Sequence, residues 1–560
     1  MKKGSSLVLI LLICSFWGAF LRIEVVKAES KTIVVPDDYS RIQEAVDATN
    51  EGDSVFVKSG TYNESVYIDV AISLIGEDPA TTTIIGDMRL NGTVVLIQHN
   101  NVNVTGFSIQ PSAYSWTRRG VHLLQVSYCN VFGNIIQKNE EGIWLFGSSS
   151  NNITGNIVIG ANFGGYTSCG ISVHCSPSNW IYGNVVKDNK VGVSLDDSPD
   201  NTFYNNTITN NLQAGLDVNS DSNSILENTI EDNLEYGIQM SGINNVLKGN
   251  KLNNNPVNFE IDPKLRVDFY NSNFANDVDS SNIIEGKPII YWLNKQDQTV
   301  PEDASLVVLV NCKNIIVENL HLSKNPVAII LVSTVDSKVT NNCVDAADYV
   351  IFVHNSSGNT IANNLVSNGG IGIFLHYSTQ NELIENTVID ASNGITLEAS
   401  EENFIDGNII LECKWGIGFG GSDNNTVRKN VVTECESLAL TIWDNSSQNM
   451  FYLNTFINNT RNLQEPREWA PVLPLNIWDN GTVGNYWSNY NGTDNTGDGI
   501  GDTPYVIDKI NQDNYPLTEP YAIPEFPSWS PMLIALVAVV AVAITYRQKL
   551  SKSNKGGSTP

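Results

Sequence analysis

One asparagine recurs at a nearly constant interval, and it restricts the fold more than any other feature of the chain. Asn134, Asn156, Asn184, Asn206, Asn228 and Asn250 lie 22 residues apart, with a single interval of 28. A second series, Asn319, Asn342, Asn364, Asn386, Asn408, Asn430 and Asn454, runs at 22 to 24. Two positions after the asparagine the residue is apolar in every case but one, His321. A repeat of this length is one supersecondary unit that buries its apolar face only by stacking on its neighbours.

Each unit holds short alternating segments such as "GIFLH" and "NTVID", rich in β-branched and aromatic residues and separated by Asn, Ser, Asp and Gly. Helical periodicity is nearly absent, and Leu is no commoner than Ile or Val at the repeat offsets, unlike a leucine-rich repeat. The expected fold is all-β: a right-handed single-stranded parallel β-helix of three strands and three turns per coil, stacked at roughly 4.8 Å. The recurrent Asn is expected to take the left-handed turn conformation and to bond through its amide up and down the stack.

Open ends of such a stack must be covered. "DDYSRIQEAVDAT", residues 37–49, reads as an amphipathic capping helix with Ile42, Ala45, Val46 and Ala48 on one face and Ser40 as N-cap. Near the other end Trp478, Tyr486, Trp487 and Tyr490 are expected to pack over the last coil.

Charge and flanking segments set the compartment. Sixty acidic against 32 basic residues give a net charge of −28, which argues against nucleic acid as partner and fits cations and neutral sugars better. Lys2 and Lys3 precede an apolar run from Leu7 to Phe20, the layout of a secretory signal peptide. A second apolar run, Trp529 to Tyr546, is long enough to span a bilayer, and Arg547, Lys549, Lys552 and Lys555 behind it would hold the tail inside. The N-glycosylation sequons, Asn63 and Asn355 among them, agree with an extracytoplasmic body. Seven cysteines remain after Cys14, with no CxxC pair. Cys413 and Cys435, one repeat apart, are expected to stack either as a disulfide or as two thiols.

The expected organisation is a signal peptide at 1–28, an N-terminal cap and first β-helix stretch at 29–255, and an irregular junction at 256–318. A second stretch at 319–460 and a C-terminal cap at 461–521 follow. A linker at 522–528, a transmembrane helix at 529–546 and a basic cytoplasmic tail at 547–560 complete the chain.

Strand alternation points to one outward column for chemistry. His354, His376 and Glu398 are each 22 residues apart and should form a line at about 5 Å steps. Two imidazoles and a carboxylate so placed suit general acid/base work or a metal with an open position. Phe352 and Phe374, one step away, would present rings to a sugar. No Arg or Lys lies in the column to neutralise a uronate, and a solvated ladder of polar side chains is the alternative. His174 and Asp196 are a smaller echo in the first half.

The clearest ligand signal is "DNTGDGIGD". Asp494, Thr496, Asp498, the Ile500 carbonyl and Asp502 occupy positions 1, 3, 5, 7 and 9 of an EF-hand-like loop, with Gly499 at the tight turn. Calcium is the expected ion. Tyr505 stands where a bidentate Glu would close the site, so the affinity should be modest.

Three stretches carry a resemblance. "IVVPDDYSRIQEAVDATNEGDSVFVKSGTYNESV" resembles the opening of pectin-lyase-like β-helix proteins. "NIIEGKPIIYWLNKQDQTVPEDASLVVLVNCKNIIVENL", Asn282 to Leu320, resembles the signature joining two β-helix stretches in the NosD family. "GNYWSNYNGTDNTGDGIGDTPYVI" is similar to a C-terminal segment of archaeal members, and Pro524, Glu525 and Phe526 resemble a PEF-type sorting signal. The resemblance implies an extracytoplasmic surface β-helix and, through the family's name, copper. His354 and His376 are the one pair that could serve copper, since the chain has five Met and no cluster of soft ligands. The function expected is a cell-surface protein that binds a surface polysaccharide or glycoprotein. A polysaccharide lyase, epimerase or hydrolase and a copper accessory protein are the alternatives.

Overall fold

The computed structural model describes residues 30–87, 90–111, 119–160, 168–261, 274–323, 325, 327–345, 349–464 and 472–521. The expected signal peptide, the linker with its PEF motif, the transmembrane helix and the basic tail lie outside the described residues. Among the described residues no helix is long and apolar enough to cross a membrane. The chain divides into two compact units, Met1–Asp268 and Phe269–Pro560.

Both units are right-handed parallel β-helices. In the first, one coil comprises Asn152–Thr154, Ile157–Ile159 and Cys169–His174, and the next comprises Trp180–Tyr182, Val185–Lys187 and Val191–Asp196. Successive coils align residue on residue, so the central apolar side chain of each short strand stacks on its equivalent. Val131, Ile153, Ile181, Phe203 and Ile225 form one such inward row and are all fully buried. The second unit holds a parallel sheet of eight strands from Lys287–Leu293 to Leu438–Trp443, with two further eight-stranded sheets.

The recurrent asparagines bond as expected but not in the conformation expected. At this turn the left-handed residue is the one before the ladder asparagine: Gly155, Gly183, Asn205 and Glu227 in the first unit, Asn363, Glu385 and Gly407 in the second. The asparagine itself is buried, and its Oδ1 accepts both the backbone N–H and the side-chain Nδ2–H of the asparagine one coil earlier, as Asn206 does for Asn184 at 2.9 and 3.0 Å. Its Nδ2 donates in turn to a backbone carbonyl of an earlier coil and to the next Oδ1. Amide donors and acceptors that a dry interior would otherwise leave unpaired are thus satisfied on both sides.

This register explains the two irregularities of the series. Asn319 is the left-handed residue of its coil, with φ 59°, and Leu320 occupies the ladder position, its N–H donating to Asn342 Oδ1. The interval of 23 and the polar His321 both follow, because the inward residue there is the buried Leu322.

A second ladder runs in parallel through Asn359, Asn381, Asn403, Asn425, Asn449 and Asn476 to Asn511. Both ladders end on aspartates. Asn485 meets Asp513 Oδ2 through its backbone N–H at 2.7 Å and its Nδ2, and Asn511 Nδ2 donates to both oxygens of Asp508. Over the last coil Trp478 stacks on Phe451 at 4.8 Å and Trp487 on Phe456 at 4.7 Å, closing the core as expected.

The expected capping helix is corrected, and two further expectations are narrowed. The capping helix is only Ile42–Asp47, with Ile42, Ala45 and Val46 buried and Ala48 exposed. Ser40 does not cap it; the buried Glu64, 22 residues on, accepts the N–H groups of Ile42 and Gln43 at 2.9 and 3.1 Å. The carboxylate of the next coil therefore meets the positive helix end, and Ser40 turns to Glu44 instead. Residues 256–318 are less irregular than their lack of ladder asparagines implies, because strands Lys287–Leu293, Leu306–Val310 and Lys313–Glu318 already follow the coil pattern. All seven described cysteines are free thiols, so Cys413 and Cys435 are buried neighbours without a disulfide, and burial pushes their thiols up to about 11 and about 12.

Candidate functional site

The column picked out by alternation exists. Cα registers run Phe352, Phe374, Thr396, Gly418, Thr441 in one line and His354, His376, Glu398, Gly420, Trp443 in the adjacent one. Its first members are not open to solvent. Phe352 and Phe374 are 1% and 3% exposed, and His354 and His376 are 2% and 8%. Their rings stack on one another: Phe352 on Phe374 at 5.4 Å, Phe374 on His376 at 5.5 Å and His354 on His376 at 5.2 Å, with Tyr377 against His376 at 4.4 Å. An aromatic wall expected to face a sugar is instead a second apolar layer outside the sheet.

Burial keeps both imidazoles neutral, with pKa values lowered to about 4; the neighbouring His354 depresses His376 further. Their Nδ1 atoms are 3.1 Å apart, so one N–H donates to the other ring. Linear two-coordinate copper would hold its two nitrogens about 4 Å apart at bond lengths near 2.0 Å. The described residues contain no group of three or more His, Cys, Asp and Glu able to complete another geometry. The donors present do not fit copper. Glu398 follows in register but makes neither a hydrogen bond nor an ion pair with His376. Burial, and then the charge of Asp444, raises its carboxyl above the usual range.

Beyond this layer the face opens. Across Asn393, Thr396, Trp415, Gly418, Thr441 and Trp443 lies a cleft of about 990 Å³, bounded on its far side by Gln464 and residues 472–475. Gly418 and Gly420 make room for the Trp443 ring. A Cβ on Gly420 would sit 2.3 Å from Trp443 Nε1, and one on Gly418 2.9 Å from Trp443 Cη2, so the Trp443 indole lies flat over two positions without side chains. Trp415, with Lys414 Nζ 4.3 Å from its ring centroid, stands one coil before it. Asn393 Oδ1 is buried in the wall without a hydrogen-bond partner among the described residues. Sequence reading singled out the column only as far as Glu398 and missed the cleft. The available signal was "WGIGFG", where two outward positions are glycine beside two tryptophans in consecutive coils.

The acidic loop closes on itself. Asp494 accepts the N–H groups of Gly497 and Gly499 at 2.6 and 2.8 Å, which hold its carboxyl below the ordinary range, and Thr496 Oγ1 donates to it as well. Asp498 caps Ile500 N–H at 3.0 Å, and Asp502 takes both the backbone and side-chain nitrogens of Asn495. Gly499 has the left-handed backbone its place in the turn requires. The three carboxylates serve three different turns and do not converge on one point, so calcium would have to displace these bonds.

Comparison with known proteins agrees with the geometry. Residues 119–283 match the model of the right-handed β-helix region, and residues 282–492 match that of the periplasmic copper-binding protein NosD. A cell surface glycoprotein of Methanothermus fervidus is 26% identical over 148 residues, which is 26% of this chain and 23% of that protein. The match thus spans less than a quarter of that relative. Among solved structures, the catalytic domain of a GH87 α-1,3-glucanase in complex with nigerose has a TM-score of 0.33 at 12% identity, covering 67% of this chain and 65% of its own. The Yersinia enterocolitica family 28 exopolygalacturonase has a TM-score of 0.27 at 10% identity, covering 71% and 79%. The protein is a right-handed parallel β-helix protein whose residues 282–492 match the NosD family model.

Proposed function

We propose that the protein stands outside the cytoplasm as a surface β-helix and binds a neutral saccharide in the cleft between Trp415 and Trp443. The observation that carries this reading is the cleft itself. Its volume is that of a small-molecule site, two indoles line it, and an unpaired amide oxygen lies in the wall. Indole faces hold the C–H faces of sugar rings, and Asn393, Asp444 and Gln464 can serve the hydroxyls. The apolar N-terminal segment, the sequons, the periplasmic description of the NosD family and the cell-surface relative support the compartment. Tethering through the segment at 529–546 belongs to the same proposal.

Trp443→Ala should lower saccharide binding at least tenfold on a glycan array probed with the full chain, while Trp180→Ala, an exposed indole of the first unit, leaves it unchanged. Equal binding by both variants would sink the reading.

A hydrolytic variant of the same site has one observation in its favour. Glu398, its carboxyl raised, lies near Asp444, which lines the cleft. A pair of neighbouring carboxyls, one made a weaker acid by burial, is what glycosidic cleavage employs. Release of reducing sugar from any array-positive glycan, abolished in Glu398→Gln, is the expected result of that variant; binding without release of sugar by the wild type rules it out.

A further inference from the structure

The outward face of the first unit carries a second constellation, separate from the cleft. Registers align Phe146, His174, Asp196 and Asn219 in one column and Trp144, Ser172, Ser194 and Asp217 in the next. His174 Nδ1 lies 2.8 Å from Asp196 Oδ2. Asn219 Nδ2 donates to Asp196 Oδ1 at 2.8 Å, and Ser241 Oγ donates to Asn219 Oδ1 at 2.9 Å. Four consecutive coils thus contribute one polar side chain each to a chain of hydrogen bonds that ends on an imidazole. With Nδ1–H given to the carboxylate, the lone pair of Nε2 points away from it. Unlike the His354/His376 pair, this dyad is accessible, its side chains 36% and 43% exposed.

Aromatic surface adjoins it. Phe146 stacks on His174 at 5.4 Å, and Trp144 leans on Phe146 at 5.3 Å beneath the Arg119 guanidinium, 4.0 Å from its ring. Past Trp144 the column drops to Ser172 and Ser194, so the indole forms a wall beside a shallow floor of hydroxyls.

We propose that this face hydrolyses esters on O-acylated neutral saccharides, with His174 as the general base. Glycosidic cleavage needs a pair of carboxylates in acid and base roles. Here Glu141 is tied to Arg119 at 3.0 Å, Asp196 is tied to His174 and Asn219, and Asp217, which follows Ser194 in the adjacent column, is engaged as well. A carboxylate-oriented imidazole is instead the arrangement of acyl transfer. His174 Nε2 takes a proton from water as the water oxygen bonds to the ester carbonyl carbon. The tetrahedral intermediate expels the sugar oxygen, which takes the proton back from the imidazolium, leaving a carboxylic acid and a free sugar hydroxyl. Asp196 holds the ring in place through Nδ1. The sugar ring rests on Trp144 and Phe146, and the net charge of −28 disfavours a polyuronate.

The test uses p-nitrophenyl acetate and the purified full chain. The wild type should release p-nitrophenolate faster than the same concentration of free imidazole. His174→Gln should lose at least tenfold, Asp196→Asn should lose several-fold, and added imidazole should partly restore His174→Ala. His321→Gln, at an exposed site in the second unit, and Cys175→Ser, which removes the exposed thiol beside the dyad, should keep the wild-type rate. An unchanged rate in His174→Gln, loss in Cys175→Ser, or a wild type no better than free imidazole overturns the proposal. None of these outcomes bears on saccharide binding in the second unit.

Discussion

Asn408→Ala will destabilise the second unit by about 3–5 kcal/mol. Asn408 Oδ1 accepts the backbone N–H and the Nδ2–H of Asn386, both at 2.9 Å, while its own Nδ2 donates to Leu383 O at 2.8 Å and Asn430 Oδ1 at 2.9 Å. Alanine removes these four bonds and a fifth, from Nδ2 to Asp406 O at 3.3 Å, and leaves the partners without them at about 1–3 kcal/mol for each group that finds no substitute. Neighbouring coils cannot collapse onto the gap, because the backbone ladders hold their spacing. Glu382→Ala, at an exposed strand position nearby, should change stability by no more than about 0.5 kcal/mol. Urea unfolding of the two variants against wild type decides the matter, and equal midpoints would mean that the ladder contributes little.

Acid should unfold the second unit through His354 and His376, and the sign follows from burial. An imidazole in an unfolded chain titrates near 6.5, whereas these two titrate at about 4 when folded. The unfolded chain therefore binds protons first as pH falls. The stabilisation is complete above 6.5 and is lost progressively between 6.5 and 4. Each histidine can account for about 3 kcal/mol at the bottom of that window, the two titrating as a coupled pair. Asp513 acts in the opposite sense: burial lifts its carboxyl from 3.8 to about 6, so the folded state binds that proton first and gains stability as pH falls from 6 to 4. Replacing both histidines with phenylalanine continues the ring stack and should remove the acid-labile component, leaving a unit that gains stability on mild acidification. Urea midpoints at pH 7, 5.5 and 4.5 measure this, and a variant with the wild-type pH slope would refute it.

What was legible in the chain and what was not divides along the direction of the interactions. Spacing of Asn134 to Asn250 and of Asn342 to Asn454 specifies coil length, and coil length specifies which residues lie beside which, so the line from His354 to Glu398 could be drawn without coordinates. Solvent exposure could not. Alternation says only that Phe352 and His354 point away from the coil interior, whereas their burial depends on the rings stacked beside them. The cleft was hidden for the same reason, since one of its walls comes from residues 472–475, beyond the repeat. Glu64 as the helix cap was missed because capping is usually sought within the first turn; in a β-helix the nearest carboxylate in space is one coil away in sequence. The acidic loop shows the converse, a pattern of ligand residues satisfied locally by N–H groups of its own turns.

The ends of the asparagine ladders have a consequence for the length of the molecule. Each ladder asparagine both accepts and donates, so every coil that satisfies the previous one creates a new demand for an acceptor in the next. An ionised aspartate accepts without donating. At Asp513 and Asp508 the demand is met and none is passed on. The two residues act as stop signals in a structure that otherwise counts by 22. Lengthening it would mean inserting whole coils ahead of those signals, while converting them to asparagine would leave a growing end exposed and ready to recruit a strand from another molecule.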